Sequence, residues 1–265
     1  MTNVLIAVAI VGVTGLVLAV ALAIVSELMK VPVDEKEEAV REALPGANCG
    51  ACGFSGCSGY AAALAKGETT DTAMCKPGGN AVSGKIAEIM GLSAGEVEQK
   101  YAYVLCCGTS ANTELKLDYS GVQSCRMAAQ LAGGQKQCYY GCLGFGDCAK
   151  ACPYGAIEIV DGVAHVMTEL CQSCEMCVKT CPKHLIELIP KGRRTAAVTC
   201  KNKDKGAIAR KQCRNACIGC MKCTKVCPAG AITVTNFNAH VDQDACIGCG
   251  ACAENCPVGC ISMFG

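Results

Sequence analysis

The sequence predicts an α+β protein: a single N-terminal transmembrane helix, a small cysteine-closed domain, and two tandem cysteine-rich modules. Three observations carry that prediction. Residues 4–25 form an aliphatic run of 22 residues without a charge. The chain holds 26 cysteines in 265 residues, 19 of them between Cys138 and Cys260. Comparing positions 75 apart in the second half lays one cysteine pattern on another without a gap. The expected divisions are an anchor at 1–28, a first cysteine domain with its linker at 29–100, a first module with an N-terminal extension at 101–190, and a second module at 191–265.

Composition narrows the class. Tryptophan is absent and aromatic residues make up 4%, so domains this small need staples, here metal clusters. A net charge of +1 gives no reason to expect nucleic acid or an acidic polymer as partner. So many cysteines also suit a secreted disulfide scaffold. Proline-terminated cysteine runs and the lack of a secretory signal favour a reducing, cytoplasmic setting instead.

As a helix, residues 4–25 are long enough to cross a hydrocarbon core of about 30 Å. Ala21-Leu22-Ala23 resembles a cleavage site, yet Met1-Thr2-Asn3 supplies no Lys or Arg, so an uncleaved anchor is expected. Lys30, Lys36 and Arg41 follow the run and no basic residue precedes it. Positive-inside logic then predicts a single-pass protein of the inner (cytoplasmic) membrane, N-terminus outside and cluster domains in the cytoplasm. A Glu-rich connector follows, helical from about Asp34.

Cys49, Cys52, Cys57 and Cys75 come next, spaced C-x2-C-x4-C-x17-C. Four thiolates close one [4Fe–4S] cube, and the glycines between them let the backbone wrap a bulky cluster. Four cysteines also suit zinc; uneven loops and glycine density favour iron and sulfide. Short helices are expected at 60–66 and 82–90, the second capped by Asn80. Residues 101–105 read as a strand ending at Cys106-Cys107-Gly108, and Cys125 stands alone on an apolar helical stretch.

The most specific pattern is Cys217-Ile-Gly-Cys220-Met-Lys-Cys223-Thr-Lys-Val-Cys227-Pro228, followed by Cys246-Ile-Gly-Cys249-Gly-Ala-Cys252-Ala-Glu-Asn-Cys256-Pro257. Each run is C-x2-C-x2-C-x3-C-P, the bacterial ferredoxin signature, in which three close thiolates hold one cube and the fourth ligates its neighbour. Zinc ribbons use paired C-x2-C without the middle and trailing cysteines. At the 75-residue offset Cys171, Cys174, Cys177 and Cys181 fall on Cys246, Cys249, Cys252 and Cys256. Upstream, Cys125, Cys138, Cys142 and Cys148 fall on Cys200, Cys213, Cys217 and Cys223. Two ferredoxin-like modules are expected, each with a short hairpin, the first about Asp161-Gly162. His165 and His240 lie in those strands with no ligand position left for them, and His184 has no assigned role.

Phe145 stands where the second copy has Cys220. Cys138 is close enough in sequence to substitute. The expected quartets are therefore Cys138, Cys142, Cys148 with Cys181; Cys171, Cys174, Cys177 with Cys152; Cys217, Cys220, Cys223 with Cys256; and Cys246, Cys249, Cys252 with Cys227. With the Cys49 set these make five cubes, leaving Cys106, Cys107, Cys125, Cys200, Cys213 and Cys260. A sixth cluster from some of Cys106, Cys125, Cys200 and Cys213 is arithmetically open; buried packing thiols are the alternative.

There is no Ser–His–Asp grouping, phosphate-cradling loop or dinucleotide fingerprint, so no independent catalytic site is expected. Low-potential cubes move single electrons, and a membrane-anchored row of them reads as an electron wire. The motif order is a membrane helix, then Cys-Gly-x-Cys-Gly-x2-Gly-Cys with Cys-x-Pro-Gly-Gly. Next comes Cys138-Tyr-Tyr-Gly-Cys142-Leu-Gly-Phe-Gly-Asp-Cys148, then the Pro-terminated runs. Over essentially the whole chain this resembles the B subunits of the Rnf-type ion-translocating electron-transport complexes, in a long form with two tandem modules. The resemblance implies the electron-transfer subunit of a translocase, a ferredoxin:NAD+ oxidoreductase that pumps sodium ions or protons. It further implies soluble ferredoxin as donor, other membrane subunits as acceptors, and flavin and nicotinamide sites on those subunits. Other readings are an iron–sulfur subunit of a membrane hydrogenase or quinone reductase, a corrinoid-associated protein, and a non-redox zinc module. The corrinoid reading needs a cobalamin domain for which the chain has no room.

Overall fold

The computed structural model describes the backbone of residues 2–28 and 34–265 and, in the first helix, the side chains of Ile6 and residues 12–26. Met1 and residues 29–33, including the Lys30 of the expected basic flank, lie outside the described residues. α1 (Thr2–Leu28) is a 27-residue helix, and its Leu16, Leu18 and Leu22 stand exposed. Among the described residues no helix is long and apolar enough to cross a membrane. The described residues therefore do not support the transmembrane part of the expected fold class; they give an exposed apolar helix.

A three-helix unit follows. α2 (Glu35–Ala43) starts at Asp34, whose Oδ1 accepts from Lys36 N at 2.9 Å. Glu35, Glu37 and Glu38 in its first turn complement the helix dipole. α3 (Cys57–Ala65) and α4 (Gly79–Met90) complete the unit. Val40, Tyr60, Leu64 and Ile86 form its buried centre, each such side chain contributing roughly 1.5–3 kcal/mol. α4 begins at Gly78 without a side-chain cap. Asn80 instead accepts from Val97 N at 2.7 Å, tying the helix to the segment that follows it.

The first module comprises β1 (Lys100–Val104), α5 (Cys125–Gln130), α6 (Asp147–Lys150), β2 (Ile157–Val160), β3 (Val163–Val166), α7 (Met176–Thr180) and β4 (Ile186–Pro190). The second comprises β5 (Thr195–Val198), α8 (Gly206–Gln212), α9 (Lys222–Val226), β6 (Ile232–Thr235), β7 (Asn238–Val241), α10 (Ala251–Glu254) and β8 (Ile261–Phe264). The strands form four antiparallel pairs: β1 with β4, β2 with β3, β5 with β8, β6 with β7. Asp161 and Gly162 both have positive φ, 48° and 75°, as the two-residue hairpin turn requires.

The outer strands locate an insertion that the 75-residue offset conceals. Val104 pairs with Ile186, and Val198 pairs with Ile261. Ile186 and Ile261 are 75 positions apart, but Val104 and Val198 are 94 apart. The structural counterpart of Cys200 is therefore Cys106, two residues beyond its strand, and not Cys125. Backbone hydrogen bonds agree: Cys142 N donates to Cys106 Sγ, and Cys217 N to Cys200 Sγ, each at 3.3 Å. The extra residues of the first module carry Cys125 and α5. Across the junction, the Tyr103 ring lies 5.5 Å from Phe264, and Ala197 joins the first module's core beside Leu185 and Ile189.

Candidate iron–sulfur centres

All 26 cysteines are unpaired thiols. Among the described residues no group of three or more His, Cys, Asp or Glu could hold a single metal ion. The thiols instead line cavities, as suits a four-iron body, which several spread thiolates surround.

In the second module Cys217, Cys220, Cys223 and Cys256 line a cavity of about 330 Å³, open solvent at its mouth included, with Cys260 beside them. The counterpart cavity in the first module, about 360 Å³, is lined by Cys142, Cys148, Cys181 and Cys125. Cys138 is not there. It lines a third cavity, with Cys106, Cys107, Cys200 and Cys213. The expected quartet of Cys138, Cys142, Cys148 and Cys181 is thus not brought together.

The reason is local. Asp147, at the start of α6, accepts from Ser124 Oγ at 2.8 Å and from Arg126 N at 3.1 Å, which pins the first turn of α5 beside Cys148. Phe145 packs against the cluster of Cys125, Ala128 and Leu143, its ring 5.3 Å from Tyr119. The insertion places Cys125 in one cavity with Cys142, Cys148 and Cys181. Spacing gave no warning, because the second module has no equivalent segment. Burial pushes the Cys148 thiol up to about 12, and Cys142, Cys125 and Cys181 add to it. Such mutual repulsion is relieved when a metal takes up thiolate charge.

Thiols of the other expected sets lie near one another. The Cys75 thiol is pushed up to about 11 by burial, with Cys57, Cys49 and Cys52 close enough to raise it further. Asn48 Oδ1 accepts from Cys57 N at 2.9 Å. Gly56 makes that approach possible: its φ is +114°, and a Cβ there would lie 2.8 Å from Asn48 Oδ1. Burial raises Cys174, with Cys49, Cys152 and Cys171 adding to the shift. Burial pushes Cys177 to about 12, with Cys171, Cys174 and Cys148 nearby. In the second module burial raises Cys252 beside Cys246 and Cys249, and Cys227 and Cys246 pack against one core.

The Cys49 domain docks on the first module. Lys179 Nζ reaches the carbonyls of Cys49 and Gly50, each at 3.3 Å. Tyr154 belongs to the same region: burial pushes its hydroxyl to about 12, and Cys174, Cys49, Cys75 and Cys57 raise it further. Its Oη is buried and without a hydrogen-bond partner among the described residues. A donor so placed among thiols of two quartets fits the sulfides and thiolates of bound cubes. The corresponding position of the second module is Ala229, where no such domain docks. His165 and His240 lie near carboxylates, at 3.7 Å from Glu158 and 3.9 Å from Glu187.

Comparison with known proteins finds iron–sulfur families along the chain. Residues 44–77 match a family described as a putative Fe-S cluster, residues 142–156 a 4Fe-4S binding domain, and residues 170–232 and 216–260 two 4Fe-4S dicluster domains. The chain is 44% identical over 242 residues to the B subunit of the Na+-translocating ferredoxin:NAD+ oxidoreductase complex of Acetobacterium woodii, covering 91% of this chain and 72% of the relative. It is 38% identical over 246 residues to the B subunit of the ion-translocating oxidoreductase complex of Methanosarcina acetivorans, covering 92% of each. It is also 38% identical over 244 residues to the B subunit of the proton-translocating ferredoxin:NAD+ oxidoreductase complex of Clostridium ljungdahlii, covering 92% of this chain and 86% of the relative. Matches of this length take in the Cys49 domain and both modules together, so the chain belongs to the family of B subunits of the Rnf-type ion-translocating oxidoreductase complexes.

Proposed function

We propose that this chain is the electron-entry subunit of an ion-translocating ferredoxin:NAD+ oxidoreductase, accepting electrons from reduced ferredoxin and passing them to membrane partner subunits. The observation that carries the reading is the series of cysteine quartets, with the Cys49 domain docked against the first module through Lys179. Bound [4Fe–4S] cubes supply one-electron chemistry at potentials set by hydrogen bonding, burial and charge.

Five quartets support the reading: Cys49, Cys52, Cys57, Cys75; Cys152, Cys171, Cys174, Cys177; Cys125, Cys142, Cys148, Cys181; Cys217, Cys220, Cys223, Cys256; and Cys227, Cys246, Cys249, Cys252. The chain's own residues hold the iron, bury it, and direct N–H and O–H donors at sulfur. Tyr154 serves the contact between the Cys49 domain and the first module. The segments 1–28, 29–100, 101–190 and 191–265 are the corresponding units.

The same reading makes α1 a single-pass anchor in the cytoplasmic membrane, with the quartets on the cytoplasmic side. Its support is the uncharged run at 4–25, the exposed leucines of α1, and the basic residues that follow. The test is turnover of the purified complex with reduced ferredoxin and NAD+. NADH formation that depends on this subunit is the expected result. An intact complex that ignores ferredoxin while reducing a quinone or evolving hydrogen assigns the chain to a different membrane redox complex.

A further inference from the structure

We propose that Cys106, Cys138, Cys200 and Cys213 hold a sixth [4Fe–4S] cube at the junction of the two modules, an inference that rests on the iron–sulfur reading above. The cavity they line, open solvent at its mouth included, measures about 340 Å³, beside about 330 and 360 Å³ on the same measure for the cavities of the Cys217 and Cys142 thiols.

The four thiols are two equivalent pairs. Cys106 and Cys200 each follow the first strand of their module by two residues. Cys138 and Cys213 each stand four residues before the first ligand of the neighbouring quartet, Cys142 or Cys217. Each module thus contributes the same two positions to one shared cavity. The 19-residue difference in spacing within each pair, 32 positions between Cys106 and Cys138 against 13 between Cys200 and Cys213, hides this equivalence in the sequence.

The surroundings are those of ligating sulfurs. Cys106 Sγ accepts from Gly108 N and Cys142 N, both at 3.3 Å. Cys200 Sγ accepts from Cys217 N at 3.3 Å. Cys138 Sγ accepts from Asn202 Nδ2 at 3.5 Å. N–H donors to sulfur stabilise and tune a bound cluster. A Cβ on Gly108 would lie 3.3 Å from Cys106 Sγ and 3.9 Å from Cys213 Sγ, so thiols of both modules face one point that glycine leaves clear.

Charge points the same way. Lys136 lines the cavity and is buried, its Nζ donating to the carbonyls of Gly108 at 2.8 Å and Gly162 at 2.7 Å. Among the described residues no carboxylate pairs with it. A buried ammonium needs a counter-charge, which an anionic thiolate-bound cluster provides. Cys107, the fifth thiol of the cavity, instead directs its Sγ at the Asn215 carbonyl, 3.6 Å away, and is not a ligand. With Cys106 touching Cys142 N and Cys200 touching Cys217 N, the site lies between the two modules' own quartets and joins them into one row.

Iron and acid-labile sulfide, counted on the full chain in its complex, test this. About 24 of each per chain is expected, against about 20 for five cubes. Cys138→Ala, Cys213→Ala and the double variant should each lose the same set of about four irons, whereas Cys107→Ala loses none. A wild-type count of about 20, retention of all iron in Cys213→Ala, or twice the loss in the double variant overturns the proposal. If a variant does not fold, the wild-type count decides alone. A preparation that contains zinc in place of iron defeats the electron-transfer reading itself, which a count of 20 irons leaves standing.

Discussion

Replacing Tyr154 by Phe removes one oxygen, and the sign of the result separates two accounts of that oxygen. Tyr154 Oη is buried and has no hydrogen-bond partner among the described residues. A buried hydroxyl left unsatisfied costs about 1–3 kcal/mol. If nothing accepts from it in the working protein, Tyr154→Phe relieves that cost and raises Tm by roughly 2–12 °C. If cube sulfur accepts from it, the substitution removes a hydrogen bond worth about 1 kcal/mol and leaves Tm unchanged or lower. Hydrogen bonds to sulfur favour the reduced, more negative cluster, so losing one lowers the potential. One kcal/mol is about 40 mV for one electron. Redox titration followed by EPR on the intact complex reads that shift, and differential scanning calorimetry reads Tm. Tyr154→Phe should lower the potential of one cube near Cys49 or Cys174 by tens of mV. A gain in Tm with every potential unchanged refutes the assignment.

Three further outcomes follow from particular contacts. Cys125→Ala should lose up to about four irons, and adding Phe145→Cys should restore them, because residue 145 packs against Cys125 and holds the position of Cys220; analysis of both variants for iron and sulfide checks this, and full iron in Cys125→Ala alone contradicts it. Lys136→Met leaves the Gly108 and Gly162 carbonyls without their donor and should cost about 2–5 kcal/mol in urea denaturation of the loaded protein; a change below about 0.5 kcal/mol means that the ammonium contributes nothing there. Removing residues 1–28 should yield a soluble, brown protein with its iron content intact, measured after fractionation; loss of clusters gives α1 a role beyond anchoring.

The repeat, the hairpins and the Pro-terminated cysteine runs were legible because each is a local signal: a spacing, an alternation, an Asp-Gly turn. The same holds for the helix start near Asp34 and the spacing of the Cys49 loop. What spacing could not convey was which thiols meet across long separations. The 75-residue register holds from Cys138 onward but fails at Cys125, because the first module carries an insertion ahead of Cys138, and only the pairing of Val104 with Ile186 and Val198 with Ile261 exposes it. Cys125 and Cys138 thereby exchange the places that sequence proximity suggested. Asn80 turned from a predicted cap to Val97 for a similar reason: its partner comes from a segment 17 residues away. Tyr154 carried no sequence signal at all, since its meaning depends on a domain docked beside it.

Direct electron entry from ferredoxin is the central step of the proposed function, and one measurement addresses it without the rest of the turnover cycle. Reduced ferredoxin is mixed with the intact complex in the absence of NAD+, and the visible absorption of the iron–sulfur centres is followed by stopped flow. The expected result is bleaching that saturates with ferredoxin concentration and disappears when this subunit is missing. Bleaching by dithionite with none by reduced ferredoxin contradicts direct entry through this chain.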